Sequence, residues 1–229
     1  ADRPIFLAAS THPGEDEIVA EAAELLRERI PALLTVIVPR HPERGAAILD
    51  MAKQRGLTAA RRSRMPLPGA DTELFISDTL GELGTWYAVS PLALIGGSLV
   101  PHGGQNPIEA VKLDTGVITG PHHANFAQSF EALLKAGGCR KVARARELAD
   151  TAAELMDQPE ALEEMRAAAR AAASELQGAL ERTLAALAPY AEGKASRPAQ
   201  RILPSEAIAA ASGIATGEAA ASEAHADTR

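Results

Sequence analysis

Cysteine and basic residues are scarce in this chain. Cys139 is the single cysteine in 229 residues, which excludes a disulfide framework and a multi-cysteine metal site and is compatible with a reducing compartment. We expect Cys139 to be a small apolar core residue. Lys and Arg number 23 against 30 Asp and Glu, which gives a net charge of -7. This balance argues against a nucleic-acid-binding protein and leaves room for a small anion in a local basic pocket.

Long apolar runs are also missing from the sequence. No run approaches the roughly 18 residues that a membrane-spanning helix needs, and the first residues lead into a strand-like segment without a charged leader. We therefore expect either a soluble protein or a piece cut from a longer one. With 46% hydrophobic residues, the chain can bury one core but not two.

Three nucleotide-binding or catalytic motifs do not occur at the positions that they require. No GxGxxG follows a strand, and neither GxxxxGK[ST] nor GxSxG is present. A nicotinamide-dependent dehydrogenase and a P-loop nucleotidase would each lack the loop that holds the phosphates. A hydrolase of the nucleophile-elbow type would lack its serine turn. These classes are excluded.

Short runs rich in Ile, Leu and Val alternate with segments of helical periodicity. This pattern predicts an α/β fold, a Rossmann-like doubly wound parallel sheet with helices on both faces. The predicted strands are 5–8, 34–38, 73–76, 92–95 and 116–119, with weaker ones at 58–61 and 140–143. The predicted helices between them are 15–29, 43–55, 81–89, 107–112 and 126–136. Strand and helix are expected to alternate throughout.

The last third of the chain has a different composition. From residue 145 onward strands are no longer evident, and the Ala-rich segment 160–187 predicts a long helix or a helix pair. After Pro189 too few large apolar residues remain to offset the entropy of ordering, so a flexible tail is expected. The predicted organisation is one ligand-binding domain with C-terminal helices, 1–190, followed by a tail, 191–229.

Polar and glycine residues cluster where the predicted strands end, at the edge where such sheets bind ligands. The cluster after the first strand could cap a helix whose amino terminus holds a phosphate or carboxylate, or it could be an ordinary helix start. Arginine and histidine follow the second strand, where they could contact an anion or a base or form a solvated charge cluster. These two clusters contain Ser10, Thr11, His12 and Gly14, and Pro39, Arg40 and His41.

The later strand ends carry more glycine. Thr79 and Glu82 fit a capping box, while Gly81 would permit close approach of a ligand. Helix-start preferences explain Asn106 and Glu109, but they do not explain the glycine-rich residues before them. These are Gly97, Ser98, His102, Gly103 and Gly104. The adjacent His122 and His123 point in different directions on most backbones, and we do not expect a metal site there.

Taken in order, five motifs resemble the carboxyl-terminal domain of the 3-deoxy-D-manno-octulosonic acid (Kdo) transferases, which are GT-B glycosyltransferases of family 30. The motifs are Ala9-Ser10-Thr11-His12 with Gly14-Glu15, Pro39 to Arg44, Asp78-Thr79 with Gly81 to Gly84, Gly96-Gly97-Ser98 with His102 to Glu109, and Gly120-Pro121-His122 with Asn125-Phe126. The resemblance spans about residues 1 to 190. Gln105 departs from an expected His, and Ile108 departs from an expected Leu.

The resemblance implies a donor, CMP-Kdo, and an inverting transfer of Kdo to a lipid A precursor in lipopolysaccharide synthesis. It implies that Arg40 and its neighbours hold the cytosine, that Ser98 and the amides near Gly97 hold the phosphate, and that Glu109 holds the ribose. It implies no metal or other cofactor. The general base would belong to an amino-terminal domain, which also carries the acceptor site and the anchor at the cytoplasmic face of the bacterial inner membrane. This chain alone is then expected to bind nucleotide and to transfer no sugar.

Two other interpretations fit the same loops. A GT-B donor domain that uses a UDP-sugar would share the architecture and the ribose-binding glutamate. A non-catalytic nucleotide-sensing module would bind the ligand only to regulate a partner.

Overall fold

A computed structural model describes residues 3–191, and over that range seven parallel strands form one sheet. The predicted α/β class is therefore confirmed. The strands are β1 (Ile5–Thr11), β2 (Leu34–Pro39), β3 (Ala59–Arg61), β4 (Leu74–Ile76), β5 (Leu92–Ile95), β6 (Gly116–Thr119) and β7 (Cys139–Lys141). The helices are α1 (Glu15–Arg29), α2 (Gly45–Gln54), α3 (Leu83–Val89), α4 (Ile108–Lys112), α5 (Ala127–Lys135), α6 (Ala145–Asp157) and α7 (Pro159–Ala191). Short 3-10 turns, Pro42–Arg44 and Ala124–Phe126, precede α2 and α5.

The order of the strands places β1 and β5 side by side at the centre of the sheet. The full order is β3-β4-β2-β1-β5-β6-β7. The chain builds outward from β1 on one side and then returns to β5 on the other, so the direction of winding reverses between these two strands. Ligands of open α/β sheets bind at this reversal, beyond the carboxyl ends of the strands.

The end of β1 contains a bulge. Ala9 pairs with Val38 and Thr11 pairs with Pro39, which leaves Ser10 without a partner in β2. Ser10 has a φ of 57°, a left-handed conformation that is uncommon outside glycine. Bulges of this kind redirect the chain next to functional sites.

The core has two layers, one on each face of the sheet. Buried side chains of α1, α2 and α6 cover one face, where Phe6, Ala8 and Ile37 of the strands meet them. Helices α3, α4 and α5 cover the other face over Leu7 and Val36. The sheet therefore lies between two helical layers, as the near-continuous apolar strands predicted.

Cys139 lies in the second of these layers and is buried, as predicted. Burial raises the pKa of its thiol to about 12, so the side chain is a neutral core group.

Two features of the prediction are wrong. Strand and helix do not alternate throughout, because β3 and β4 are neighbouring parallel strands joined by residues 62–73 with no helix in that described segment. The prediction also missed α6, although Leu148, Ala152 and Leu155 follow the helical period and are buried. The periodic spacing of these buried residues was the signal that could have found the helix.

The chain forms two compact units, Ala1–Arg182 and Thr183–Arg229. The second unit is described only over the last turns of α7, where Leu184, Leu187 and Tyr190 are exposed. The predicted tail, 191–229, lies outside the described residues apart from Ala191. No helix of residues 3–191 combines the length and the apolar character that crossing a membrane requires.

Candidate functional site

The loops that follow β1 and β5 meet at the reversal of the sheet. The backbone N–H of Gly96 donates to Ala9 O at 2.7 Å, which ties the start of one loop to the end of the neighbouring strand. Inside the second loop, Gly104 N donates to Gly97 O at 2.7 Å and Gln105 N donates to Gly96 O at 3.0 Å. The loop is therefore closed on itself and anchored to β1.

The loop after β6 packs against the loop after β5. A Cβ on Gly120 would lie 2.0 Å from Ser98 O, so only glycine allows the two backbones to approach this closely. His122 N donates to Ser98 O at 2.9 Å, and the Asn125 side chain donates to His102 O at 3.2 Å. Hydrogen bonds therefore hold the ends of β1, β5 and β6 together.

Three histidines from different loops gather at this point. The rings of His12 and His102 are stacked with centroids 3.6 Å apart, and His41 approaches His12 edge-on at 6.1 Å. Gln105 Nε2 lies 2.9 Å from His12 Nε2. An amide nitrogen can only donate, so His12 accepts at Nε2 and carries its proton on Nδ1.

His12 stays neutral over most of the physiological range. Its side chain is almost fully buried. Burial, followed by His102, His41, Arg44 and Arg40, lowers the pKa of His12 to about 4. The ring is therefore a hydrogen-bonding and stacking group at neutral pH. An anion placed beside it would oppose the effect of the surrounding cations.

Two arginines approach the cluster from the loop after β2. Arg44 donates to Thr11 O at 2.9 Å and pairs with Asp16, whose buried carboxylate also accepts from Thr11 Oγ1 at 2.7 Å. Burial raises the pKa of Asp16. Arg40 is exposed, and its guanidinium has no hydrogen bond or ion pair with another residue in the part of the chain described. Arg40 is thus a cation available to a ligand, whereas Arg44 supports the fold.

Ser98 lies beneath the loop, where its polar groups are already engaged. Its side chain is completely buried; Oγ donates to Ile95 O at 2.5 Å and accepts from Gly120 N at 2.8 Å. Its backbone N–H donates to Glu15 at 2.9 Å. In this conformation Ser98 holds two loops together and presents no group to a ligand.

The residues near α3 form a second group. Glu109 is exposed and faces Gly84, where an added Cβ would lie 3.8 Å from Glu109 Oε1. Glu82 accepts from Arg62 at 2.7 Å and pairs with the Thr79 hydroxyl. No hydrogen bond or ring contact among residues 3–191 joins this group to the histidines. The capping-box interpretation of Thr79 and Glu82 is wrong, because Glu82 itself precedes α3 and makes no side-chain cap.

The starts of α4 and α1 differ in whether a nearby side chain bonds the first backbone N–H groups. Asn106 Oδ1 accepts from Ile108 N at 3.0 Å at the start of α4, although Pro107 and not Asn106 stands at the cap position. Neither Ser10 nor Thr11 caps α1, because Gly14 stands at the cap position and no side-chain bond is made. The buried carboxylates of Glu15 and Asp16 occupy this end of α1 instead.

The loop after β5, residues 96–107, is called the β5 loop below. An open cavity of about 550 Å³ lies beside it. His102, Gly103, His122 and Asn125 contribute to its wall. This volume falls within the range of small-molecule sites. The cavity adjoins the stacked histidines, so it opens where the loops converge.

The structure therefore brings together most of the predicted site residues. Those that lie at the histidine cluster or in the loops that hold it are Ser10, Thr11, His12, Gly14, Pro39, Arg40, His41, Gly97, Ser98, His102, Gly103, Gly104 and Asn106. Gly81, Glu82 and Glu109 belong to the group near α3.

Sequence reasoning missed Glu15 as a contributor to the site and noted Gln105 only as a departure. The position of Glu15 directly after the glycine-bearing turn was the signal that could have found it.

No family model matches the chain, but individual proteins do. It is 41% identical over 192 residues to a 3-deoxy-D-manno-octulosonic acid transferase of Haemophilus influenzae, covering 83% of this chain and 45% of that protein. The corresponding transferase of Bordetella pertussis is 39% identical over 189 residues, with 81% and 44% covered. The chain thus spans about half the length of the curated relatives that it matches.

A solved structure matches over most of its length. It is the C-terminal CMP-Kdo binding domain of WaaA from Acinetobacter baumannii, with a TM-score of 0.72 and 30% identity, covering 75% of this chain and 89% of that one. The C-terminal domain of a group 1 glycosyltransferase from Francisella tularensis, 15% identical with a TM-score of 0.54, shares the fold.

Proposed function

Because the chain belongs to the Kdo transferase family, we propose that it binds CMP-Kdo as the donor half of an inverting GT-B enzyme. The observation that carries the proposal is the convergence of the loops after β1, β2, β5 and β6 on the stacked rings of His12 and His102. The proposal is supported by the match to a CMP-Kdo binding domain over 89% of its length.

The charge and exposure of each group suggest its part in holding the nucleotide. Arg40, whose guanidinium has no partner among residues 3–191, lies at the rim and would contact the cytosine, with His41 beside it. His102 is exposed on the face of the β5 loop and would meet the phosphate together with the backbone N–H of Gly103. Glu109, at the start of α4, would accept hydrogen bonds from the ribose hydroxyls. Ser98 would support this surface from below.

The proposed chemistry would be completed by the half of the relatives that this chain does not match. Departure of cytidine monophosphate leaves an anion, and donors fixed at the β5 loop would stabilise the charge that develops in the transition state. The base that deprotonates the acceptor would come from an amino-terminal half. We therefore expect no Kdo transfer by this chain alone.

The expected partners follow from the same proposal. The amino-terminal half would bring the lipid A precursor to the donor at the cytoplasmic face of the inner membrane. No metal or other cofactor is expected to take part. Among residues 3–191 no group of three or more His, Cys, Asp or Glu side chains could hold a metal ion.

Thermal unfolding with CMP and with UDP tests the proposed donor. A ligand at 100 times its Kd stabilises the folded state by about 2.7 kcal/mol, which raises the Tm of a domain of this size by roughly 5 to 10 °C. We expect that shift with CMP, and a much smaller one with UDP or with cytidine. An equal shift with UDP would favour a UDP-sugar donor domain.

The variant Arg40→Ala tests the proposed contact between Arg40 and the nucleotide. Because the Arg40 side chain is exposed and unpaired among the described residues, we expect the Tm without ligand to stay within about 1 °C of the parent, since surface substitutions of this kind cost little. The shift in Tm caused by CMP should fall by more than half.

Adding an amino-terminal half distinguishes a donor domain of an enzyme from a nucleotide-sensing module. Restored Kdo transfer supports the enzyme, and tight CMP binding without transfer supports the sensing module.

A further inference from the structure

Glu15 is a completely buried carboxylate at the start of α1. It accepts four backbone hydrogen bonds. His12 N lies 2.9 Å and Gly97 N 2.6 Å from Oε2, while Ser98 N and Leu99 N lie 2.9 and 2.8 Å from Oε1. No cation within the described range pairs with it. Backbone amides and the amino terminus of α1 therefore stabilise the buried charge.

Three of these amides belong to consecutive residues of the β5 loop. Successive N–H groups that point into one concavity form an anion-binding nest. The positive φ of Gly97, 69°, permits this curvature. In this protein the nest holds the carboxylate of Glu15. An incoming phosphate would have to displace a negative charge to use the same amides.

The nest is connected to the exposed part of the loop through its own peptide groups. Gly97 donates its N–H to Glu15 and accepts from Gly104 N through its carbonyl oxygen at 2.7 Å. Gly96 accepts from Gln105 N at 3.0 Å in the same way. The Glu15 carboxylate is therefore connected, through the peptide groups of Gly97, to the turn that carries His102, whose ring stacks on that of His12.

We propose that Glu15 is a positioning residue for the donor, an internal anion that fills the nest of Gly97 to Leu99 and directs the phosphate to the outer surface of the loop. This inference rests on the proposed nucleotide-binding function. It assigns the phosphate to the side of His102 and Gly103. It also separates the part of the loop that builds the site from the part that touches the ligand.

Amide exchange and chemical shifts in the parent chain test the inference directly. In ¹H–¹⁵N spectra, saturating CMP should shift the amides of His102, Gly103 and Gly104, while those of Gly97 and Ser98 stay protected and nearly unshifted. Larger shifts and a loss of protection at Gly97 and Ser98 would show that the phosphate enters the nest, which overturns the proposal.

The variants Glu15→Gln and Asp16→Asn provide the matched comparison. Both remove a charge from a buried carboxylate in the first turn of α1, but the Asp16 side chain bonds Thr11 and Arg44 instead of the loop. We expect Glu15→Gln to weaken CMP binding at least tenfold and to speed amide exchange at Gly97. Asp16→Asn should change CMP affinity less than threefold, even where its Tm falls as far.

The two possible failures are distinguishable. Absence of any CMP response in the parent chain refutes the proposed function, and amide exchange in Glu15→Gln still decides the part of Glu15. Unchanged exchange of the nest amides in that variant, or equal losses of affinity in both variants, contradicts a positioning role. If Glu15→Gln does not fold, the spectra of the parent chain decide.

Discussion

Gly120, the residue that follows β6, has no room for a side chain. An added Cβ would lie 2.0 Å from Ser98 O, 2.3 Å from Ser98 C and 2.6 Å from Leu99 N. All three are backbone atoms of the β5 loop, so no rotation of a side chain can relieve the contact. The substitution Gly120→Ala must therefore push two loop backbones apart.

The size of the effect follows from the depth of this contact. Overpacking costs about 1 to 3 kcal/mol, and a clash with three backbone atoms belongs at the upper end of that range. Separation of the loops also lengthens the hydrogen bond from Gly120 N to Ser98 Oγ, now 2.8 Å. We expect the free energy of unfolding to fall by about 3 kcal/mol, which lowers the Tm by roughly 6 to 12 °C for a domain of this size.

Urea denaturation and thermal unfolding measure this loss, and Gly84→Ala is the control. At Gly84 the nearest atoms to an added Cβ lie at 3.8 and 3.9 Å, which is ordinary contact, and alanine favours helix by up to about 1 kcal/mol over glycine. The same chemical change should therefore be neutral or stabilising in α3. A Tm of Gly120→Ala within about 2 °C of the parent would refute the close packing of the two loops.

Two further predictions concern Ser98 and His12. Ser98→Ala should lower the free energy of unfolding by about 1 to 3 kcal/mol, because it leaves the buried Gly120 N–H without its acceptor, while CMP affinity measured by calorimetry changes less than threefold; a tenfold loss of affinity with little loss of stability would instead place Ser98 against the phosphate. The pKa of His12 is about 4 in the folded chain and near 6.5 when unfolded. The unfolded chain therefore binds more protons between these values, and the stability supplied by His12 is lost as the pH falls from 6.5 toward 4. Urea denaturation at pH 7.5 and pH 5.0 should show a smaller difference for His12→Gln than for the parent, and equal differences would contradict the prediction.

The fold could be predicted largely from local pattern. Continuous apolar runs such as those at β2 and β5 identify strands of a parallel sheet, because both of their faces are buried. β3 was a weak prediction, since Ala59 and Arg61 lie at the edge and are only partly buried. The absence of a helix between β3 and β4 could have been predicted, because Pro66, Pro68 and Gly69 interrupt the segment 62–73.

The site could be predicted as a set of loops but not as a set of contacts. Residues after β1 and β5 were expected together because parallel strands end at one edge. The contacts of Glu15 were not expected, since three of the amides that it meets are 82 to 84 residues away, although its place directly after the Gly14 turn marked it as a candidate. The resemblance implied that Ser98 holds the phosphate. In the structure its hydroxyl accepts from Gly120 N, 22 residues away, a contact that the sequence does not show.

The bulge at Ser10 changes which face of the sheet the next residue meets. Phe6 and Ala8 lie on the α1 side, and Leu7 and Ala9 lie on the other. Simple alternation would send Thr11 to the side of Ala9, yet its hydroxyl bonds Asp16 of α1. One extra residue has reversed the pattern. A regular strand through these residues would turn Ser10 toward α1 and Thr11 away from it, so the bulge at the end of β1 is as much a determinant of the site as any side chain.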